Sequence, residues 1–288
     1  MSFELHRPRS LDEALTLLEK NEGAHVMAGA TALVLLMRQG LVRPSVVVSL
    51  RDAGLGGIRA ESDGALWLGA TTTIREAEES PLVRSFCPAL AEAFGHVATV
   101  RVRDQATVGG NLAHADPAQD PPPMLLALGA EVELAKAGRK KPRRIPVEEL
   151  LVGLFETSIE EGEILTGVRV PPLPAGTRAT YVKFLPRTED DYATVSVAAV
   201  GRVTNGALMD ARIALGSVGP TAVRARKTEA ALREVALMPG GADNGRLTAA
   251  AALVRDEIDP LDDIRGSAEY KREMARVWTE RAVRSLLS

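Results

Sequence analysis

Residues 107–120 run Thr107-Val108-Gly109-Gly110-Asn111-Leu112-Ala113-His114-Ala115-Asp116-Pro117-Ala118-Gln119-Asp120, and no other stretch gathers so many side chains suited to ligands rather than to a core. Two adjacent glycines leave backbone N–H groups uncovered by any Cβ, and a turn of such groups forms a nest that holds a phosphate or pyrophosphate. A tight connection between two elements is the plainer reading of the same pair.

A second segment of similar grammar lies upstream. Val26-Met27-Ala28-Gly29-Ala30-Thr31-Ala32-Leu33 reads as a short apolar strand, a glycine turn, a threonine able to cap a helix, and an amphipathic helix through Arg38. Such a junction places free N–H groups and the positive end of a helix at one point. Two anion-holding turns suit a diphosphate. Neither turn has a Walker-type lysine, and no G-x-G-x-x-G occurs, so neither a P-loop nor a Rossmann site is supported.

Around these turns the chain alternates recognisably. Ser10-Leu11-Asp12-Glu13 has capping-box form, with Leu11, Ala14, Leu15 and Leu18 on one helical face. Val46-Val47-Val48 reads as a buried strand, which makes residues 1–55 a small α/β unit. Ala65–Leu68 starts a second unit as a strand, Thr71-Thr72-Thr73 offers hydroxyl caps, and helical patterns follow at 82–86 and 89–97. Pro121-Pro122-Pro123 can only open a helix, which Gly129 closes. Strands are expected at 131–135 and 164–170, and the stiff Pro171-Pro172-Leu173-Pro174 reads as a boundary. Beyond it, strands at 181–184, 195–203 and 207–215, the last two joined by Asn205-Gly206, precede helices around 228–237, 247–257 and 267–287. The expected fold class is therefore α+β: residues 1–174 in two subdomains, about 1–55 and 56–174, then an α+β domain over 175–288 with an antiparallel sheet and helices.

The formal charge of −3 on 288 residues gives no basic excess for nucleic acid or anionic membrane. The one basic run, Arg139-Lys140-Lys141-Pro142-Arg143-Arg144, reads as a solvated hairpin tip, with a docking patch for an acidic partner as the alternative. Cys87 is alone, so neither an internal disulfide nor a cysteine-ligated cluster held by this chain is possible. His6, His25, His96 and His114 have no metal-ligand spacing, no Ser-His-Asp order is present, and no apolar run reaches the length of a membrane span. No catalytic or metal site is expected, and the location expected is the cytoplasm.

Three motifs together, Ala28–Leu33, Leu68-Gly69-Ala70-Thr71-Thr72-Thr73 and Ala106–Leu112 with Asp116-Pro117 and Asp120, followed by Lys183 and Asp191-Tyr192-Ala193, resemble the FAD-binding medium subunits of molybdenum hydroxylases, as in carbon monoxide dehydrogenase and the flavin domain of xanthine dehydrogenase. One departure is Ala30, where that family usually has a second glycine. The resemblance implies FAD on this chain, with molybdopterin on a large partner subunit and two [2Fe-2S] clusters on a small one, assembled as a dimer of heterotrimers. It implies cofactor contacts from Ala28, Gly29, Ala30, Thr31, Ala32, Leu33, Thr107, Val108, Gly109, Gly110 and Asn111. It also implies contact from Asp120, an apolar wall at Leu165, a cation near the ring at Lys183, and Tyr192 against the ring. From the residues alone, Asp116 and Asp120 are equally caps, Tyr192 an edge tyrosine, and His114 a hydrogen-bonding loop residue. The function expected is an electron-transfer flavoprotein subunit whose substrate is oxidised elsewhere. Alternatives are a stand-alone FAD-dependent reductase or oxidase and a flavin-less scaffold.

Overall fold

The computed structural model describes residues 3–186, 191–204, 207–233 and 244–287. The first unit is β1 (Glu4–His6), α1 (Leu11–Lys20), β2 (His25–Met27), α2 (Leu33–Arg38) and β3 (Val46–Ser49), with a parallel sheet in the order β1-β3-β2. Ser10 caps α1 by accepting from the Glu13 N–H, and Ala14, Leu15 and Leu18 pack beneath with Val48 and Leu50. The sequence pattern contained every element here except β1, which is short and mostly exposed. Thr31 does not cap α2: the helix begins at Leu33, with Ala32 in front of it and no side-chain cap.

The second unit comprises β4 (Ile58–Ala60), β5 (Leu66–Gly69), α3 (Ile74–Glu79), α4 (Pro81–Phe86), α5 (Pro88–Gly95), α6 (Val100–Arg103), α7 (Val108–His114) and α8 (Pro121–Leu128). It continues with β6 (Glu131–Lys136), β7 (Arg143–Pro146), α9 (Val147–Leu150), β8 (Leu151–Gly153), β9 (Glu156–Thr157) and β10 (Glu163–Val170). Its main sheet runs β4-β5-β10-β6-β7, antiparallel throughout. Of the three threonines, Thr73 closes a capping box with Glu76, while the Thr72 hydroxyl bonds Gly57 across the loop. The basic run is the β6–β7 hairpin tip, with Arg139 and Arg143 drawn back onto Glu163. Cys87 is buried in the core, as a small apolar residue would be.

The last unit is an antiparallel sheet of β11 (Thr177–Phe184), β12 (Val195–Thr204), β13 (Ala207–Gly216) and β14 (Val223–Arg224). It is followed by α10 (Arg226–Ala231), α11 (Asn244–Ala252), a 3₁₀ turn over Leu253–Asp256, and α12 (Ala268–Leu287). The Asn205-Gly206 turn lies outside the described residues, as does the end of the helix expected around 228–237; β12 and β13 pair on either side of that turn. Helices cover both faces of this sheet, so β12 is buried almost continuously. One face, with Tyr181, Ala198 and Val200, joins the core of the second unit through α5 and α8. The other, with Val195, Val197 and Ala199, packs on α10, α11 and α12. That shared core fixes β11, and with it Lys183, against the central loop.

Candidate cofactor site

A cavity of about 750 Å³ opens between the three larger sheets. Its volume falls in the usual range for small-molecule and cofactor sites. Ala28–Leu33, Thr107, Gly109, Gly110, Asn111, Asp120, Leu165, Lys183 and Tyr192 all line it. Val108 does not: its side chain is buried in the core and its N–H donates to the Thr72 carbonyl at 2.9 Å.

The two glycine segments turn out to differ in kind. Gly109 and Gly110 are in the first turn of α7, not in a free-standing nest. Thr107 caps that helix, accepting from the Gly110 N–H at 3.1 Å. Gly109 N–H donates to Ala70 O and Asn111 N–H to Thr107 O, so the expected open N–H groups are already paired. The glycines are needed for closeness instead. A Cβ on Gly109 would lie 2.6 Å from the Ala70 Cβ, and one on Gly110 would lie 2.8 Å from the capping hydroxyl of Thr107.

The upstream segment supplies what α7 does not. Among the described residues, no partner is present for the backbone N–H groups of residues 29–33, which lead into the N-terminus of α2. Ala30 takes φ +64°, the left-handed conformation that a glycine would adopt freely. The turn is therefore built in spite of the alanine.

Two buried acceptors point to a polar ligand as well. The Asn111 Oδ1 and Gln119 Oε1 atoms are buried without a hydrogen-bond partner, and both residues line the cavity. Leaving a buried acceptor unpaired costs about 1–3 kcal/mol, so a ligand or ordered water is expected there. Open donors along one segment and unpaired acceptors along another fit a group carrying both an anion and hydrogen-bonding rings.

On the third side, charge is concentrated. Lys183 Nζ lies 3.0 Å from Asp120 Oδ2, with the two side chains 1% and 4% exposed. The same ammonium donates to His96 O at 2.8 Å, at the C-terminal end of α5 where helix carbonyls are unpaired. Asp120 stands at the head of α8, where a carboxylate would ordinarily cap the helix. Pro121, Pro122 and Pro123 have no N–H to offer it, so its oxygens are free for Tyr181 and Lys183. Burial pushes the Asp120 carboxyl up, against the opposing pull of Lys183 and Tyr181.

At the cavity mouth, Asp116 shapes the loop by accepting from the Ala118 N–H at 2.9 Å. The Tyr192 hydroxyl is pushed up to about 12 by burial and by Asp116 beside it, while the Arg265 guanidinium sits 5.4 Å from its ring centre. His114 lines the cavity with its ring 5.2 Å from that of Phe155, and burial pushes its pKa down. Sequence reasoning missed Tyr181, Gln119 and Phe155. The first had a signal: Tyr181 and Lys183 are two apart on a strand and share a face.

A family model described as the FAD binding domain in molybdopterin dehydrogenase matches residues 1–173, and one described as the CO dehydrogenase flavoprotein C-terminal domain matches residues 180–286. The carbon monoxide dehydrogenase medium chain of Afipia carboxidovorans is 36% identical to this chain, over 98% of it and 96% of the relative. The 6-hydroxypseudooxynicotine dehydrogenase complex subunit alpha of Paenarthrobacter nicotinovorans is 34% identical, over 99% and 95%. A solved structure of quinoline 2-oxidoreductase from Pseudomonas putida 86 superposes with a TM-score of 0.91 at 31% identity, covering 100% of this chain and 97% of that one. The chain thus belongs to the family of FAD-binding medium subunits of the molybdenum hydroxylases.

Proposed function

We propose that this chain holds one FAD in the cavity between its three larger sheets and acts as the electron-transfer flavoprotein of a heteromeric molybdenum hydroxylase, with the substrate oxidised on a partner subunit. The observation that carries this reading is the run of unpaired N–H groups at residues 29–33, lining the same cavity as the unpaired Asn111 Oδ1 and Gln119 Oε1. A bound flavin supplies a centre able to take electrons singly and release them in pairs.

The chain's own residues do the holding. The N–H groups of residues 29–33, at the positive end of α2, would take the pyrophosphate. Thr107, Gly109, Gly110 and Asn111 would form the facing wall, with the absence of a Cβ at Gly110 keeping room beside the cap. Val108 would support that wall from the core. Asp120 would accept from hydroxyls, Leu165 would give an apolar wall, and Lys183 and Tyr192 would lie nearest the ring. With Asp120 pairing it, Lys183 delivers a compensated charge, so its influence on the flavin is smaller than that of a bare ammonium.

The partners proposed are a large molybdopterin subunit and a small subunit with two [2Fe-2S] clusters, arranged as a dimer of heterotrimers in the cytoplasm. Residues 1–174 would make the FAD-binding part and 175–288 the flavoprotein C-terminal domain. The test is titration of the flavin-free chain with FAD, followed by fluorescence quenching. Saturation at one FAD per chain is expected. No saturable binding at micromolar FAD would favour a flavin-less scaffold, and turnover of a small substrate by the chain alone would favour a stand-alone reductase or oxidase.

A further inference from the structure

Three hydrogen bonds tie four residues from three elements into one buried unit. Tyr181 OH donates to Asp120 Oδ1 at 2.7 Å, Lys183 Nζ to Asp120 Oδ2 at 3.0 Å, and Lys183 Nζ to His96 O at 2.8 Å. The His96 ring lies against Tyr181, with centroids 5.7 Å apart. Asp120 and Lys183 line the cavity; Tyr181 does not, being 2% exposed and facing the shared core.

An ammonium has three donors, and these bonds occupy two. Lys183 is thereby left with one N–H, and the direction of that N–H is set by the other two. The Asp120 carboxylate could swing about its own bond, since the three prolines behind it give it no backbone donor. Among the described residues, only the hydroxyl of Tyr181 holds its second oxygen.

We infer that Tyr181 is a positioning residue for the flavin site: its hydroxyl locks the Asp120 carboxylate, which in turn aims the remaining N–H of Lys183 into the cavity. This rests on the FAD reading given above. Tyr181 touches no cofactor itself; it acts through two other side chains, and its effect on the flavin potential must vanish when Lys183 is gone.

The experiment is a double-mutant cycle in the full chain with Tyr181→Phe and Lys183→Met, read by FAD dissociation constant and by the midpoint potential of bound flavin. Tyr181→Phe alone is expected to weaken FAD binding about tenfold and to lower the potential, in the direction of Lys183→Met. In the Lys183→Met background its effect on the potential is expected to disappear and its effect on affinity to shrink. Wild-type potential and affinity in Tyr181→Phe, or an effect that persists undiminished without Lys183, would overturn the inference. Should Tyr181→Phe not fold, Asp120→Asn keeps an acceptor for Tyr181 while removing the charge that holds Lys183. A lowered flavin potential is expected there, because the ammonium is no longer aimed into the cavity; an unchanged or raised potential would overturn the inference. A wild-type chain that binds no FAD would instead defeat the flavin reading itself.

Discussion

Gly29 meets Gln105 so closely that a Cβ on Gly29 would lie 1.9 Å from the Gln105 carbonyl oxygen and 2.9 Å from the Ala106 Cα. This contact joins the first unit to the segment that leads into α7, and so sets the width of the cavity between the two glycine segments. Gly29→Ala is expected to force them apart. A destabilisation of about 1–3 kcal/mol, typical of overpacking, should appear in thermal unfolding, together with loss of FAD binding. Unchanged unfolding and affinity would show that the contact yields easily.

Ala30 holds a left-handed conformation at φ +64°. Such a conformation costs a residue with a Cβ about 1–2 kcal/mol, while glycine gives back part of that through its freer unfolded chain. Ala30→Gly should therefore be neutral to stabilising by up to about 1 kcal/mol in denaturant unfolding, with FAD affinity kept or improved. Ala30→Val should lose both stability and affinity, since a β-branched residue tolerates positive φ poorly.

Gly110→Glu puts a side chain where the Thr107 hydroxyl sits and a carboxylate into the cavity beside it. The purified variant should be colourless. Gly110→Ala separates the two effects: loss of a helix cap worth about 1 kcal/mol, with FAD still bound more weakly. Full flavin in the glutamate variant would show that the cofactor does not approach α7.

Glu163 gives a pH dependence with a defined sign. Burial alone would raise its pKa, but the bonds from Arg143, the Glu160 N–H and Arg139 win, holding it at about 2 rather than 4.5. A depressed carboxyl stabilises the fold above its ordinary value and loses that contribution as pH falls from about 4.5 toward about 2. At about 1.4 kcal/mol per unit, and trimmed because both arginines are partly exposed, the loss is about 2 kcal/mol. Glu163→Gln should be less stable than wild type at pH 7, and the gap should narrow below about pH 4.5 and close only as pH approaches about 2 in urea unfolding. A gap that stays constant with pH would remove Glu163 as its source.

Much of this was legible because local rules and tertiary fate agree. The period of Leu11, Ala14, Leu15 and Leu18 gives α1, the run Thr71-Thr72-Thr73 offers the cap that Thr73 takes up, and Pro121 opens α8, all without distant help. Gly109 differs from the expected nest because its N–H partner, Ala70 O, comes from a strand end far away in sequence, while Gly110 N–H is taken by the local cap of Thr107. The same limit applies to Thr31, whose hydroxyl would cap only if α2 began earlier, and to Val108, whose place in a motif says nothing of its inward direction. The buried pairing of Tyr181 with Asp120 is a contact between a sheet and a loop 61 residues apart, which no spacing rule reaches.

The central claim is that this chain carries FAD, and the visible absorption spectrum of the purified full chain, with mass identification of the cofactor released by heat, tests it most directly. The account predicts a flavin spectrum and non-covalent FAD at one per chain. A colourless chain that also fails to take up added FAD would contradict it.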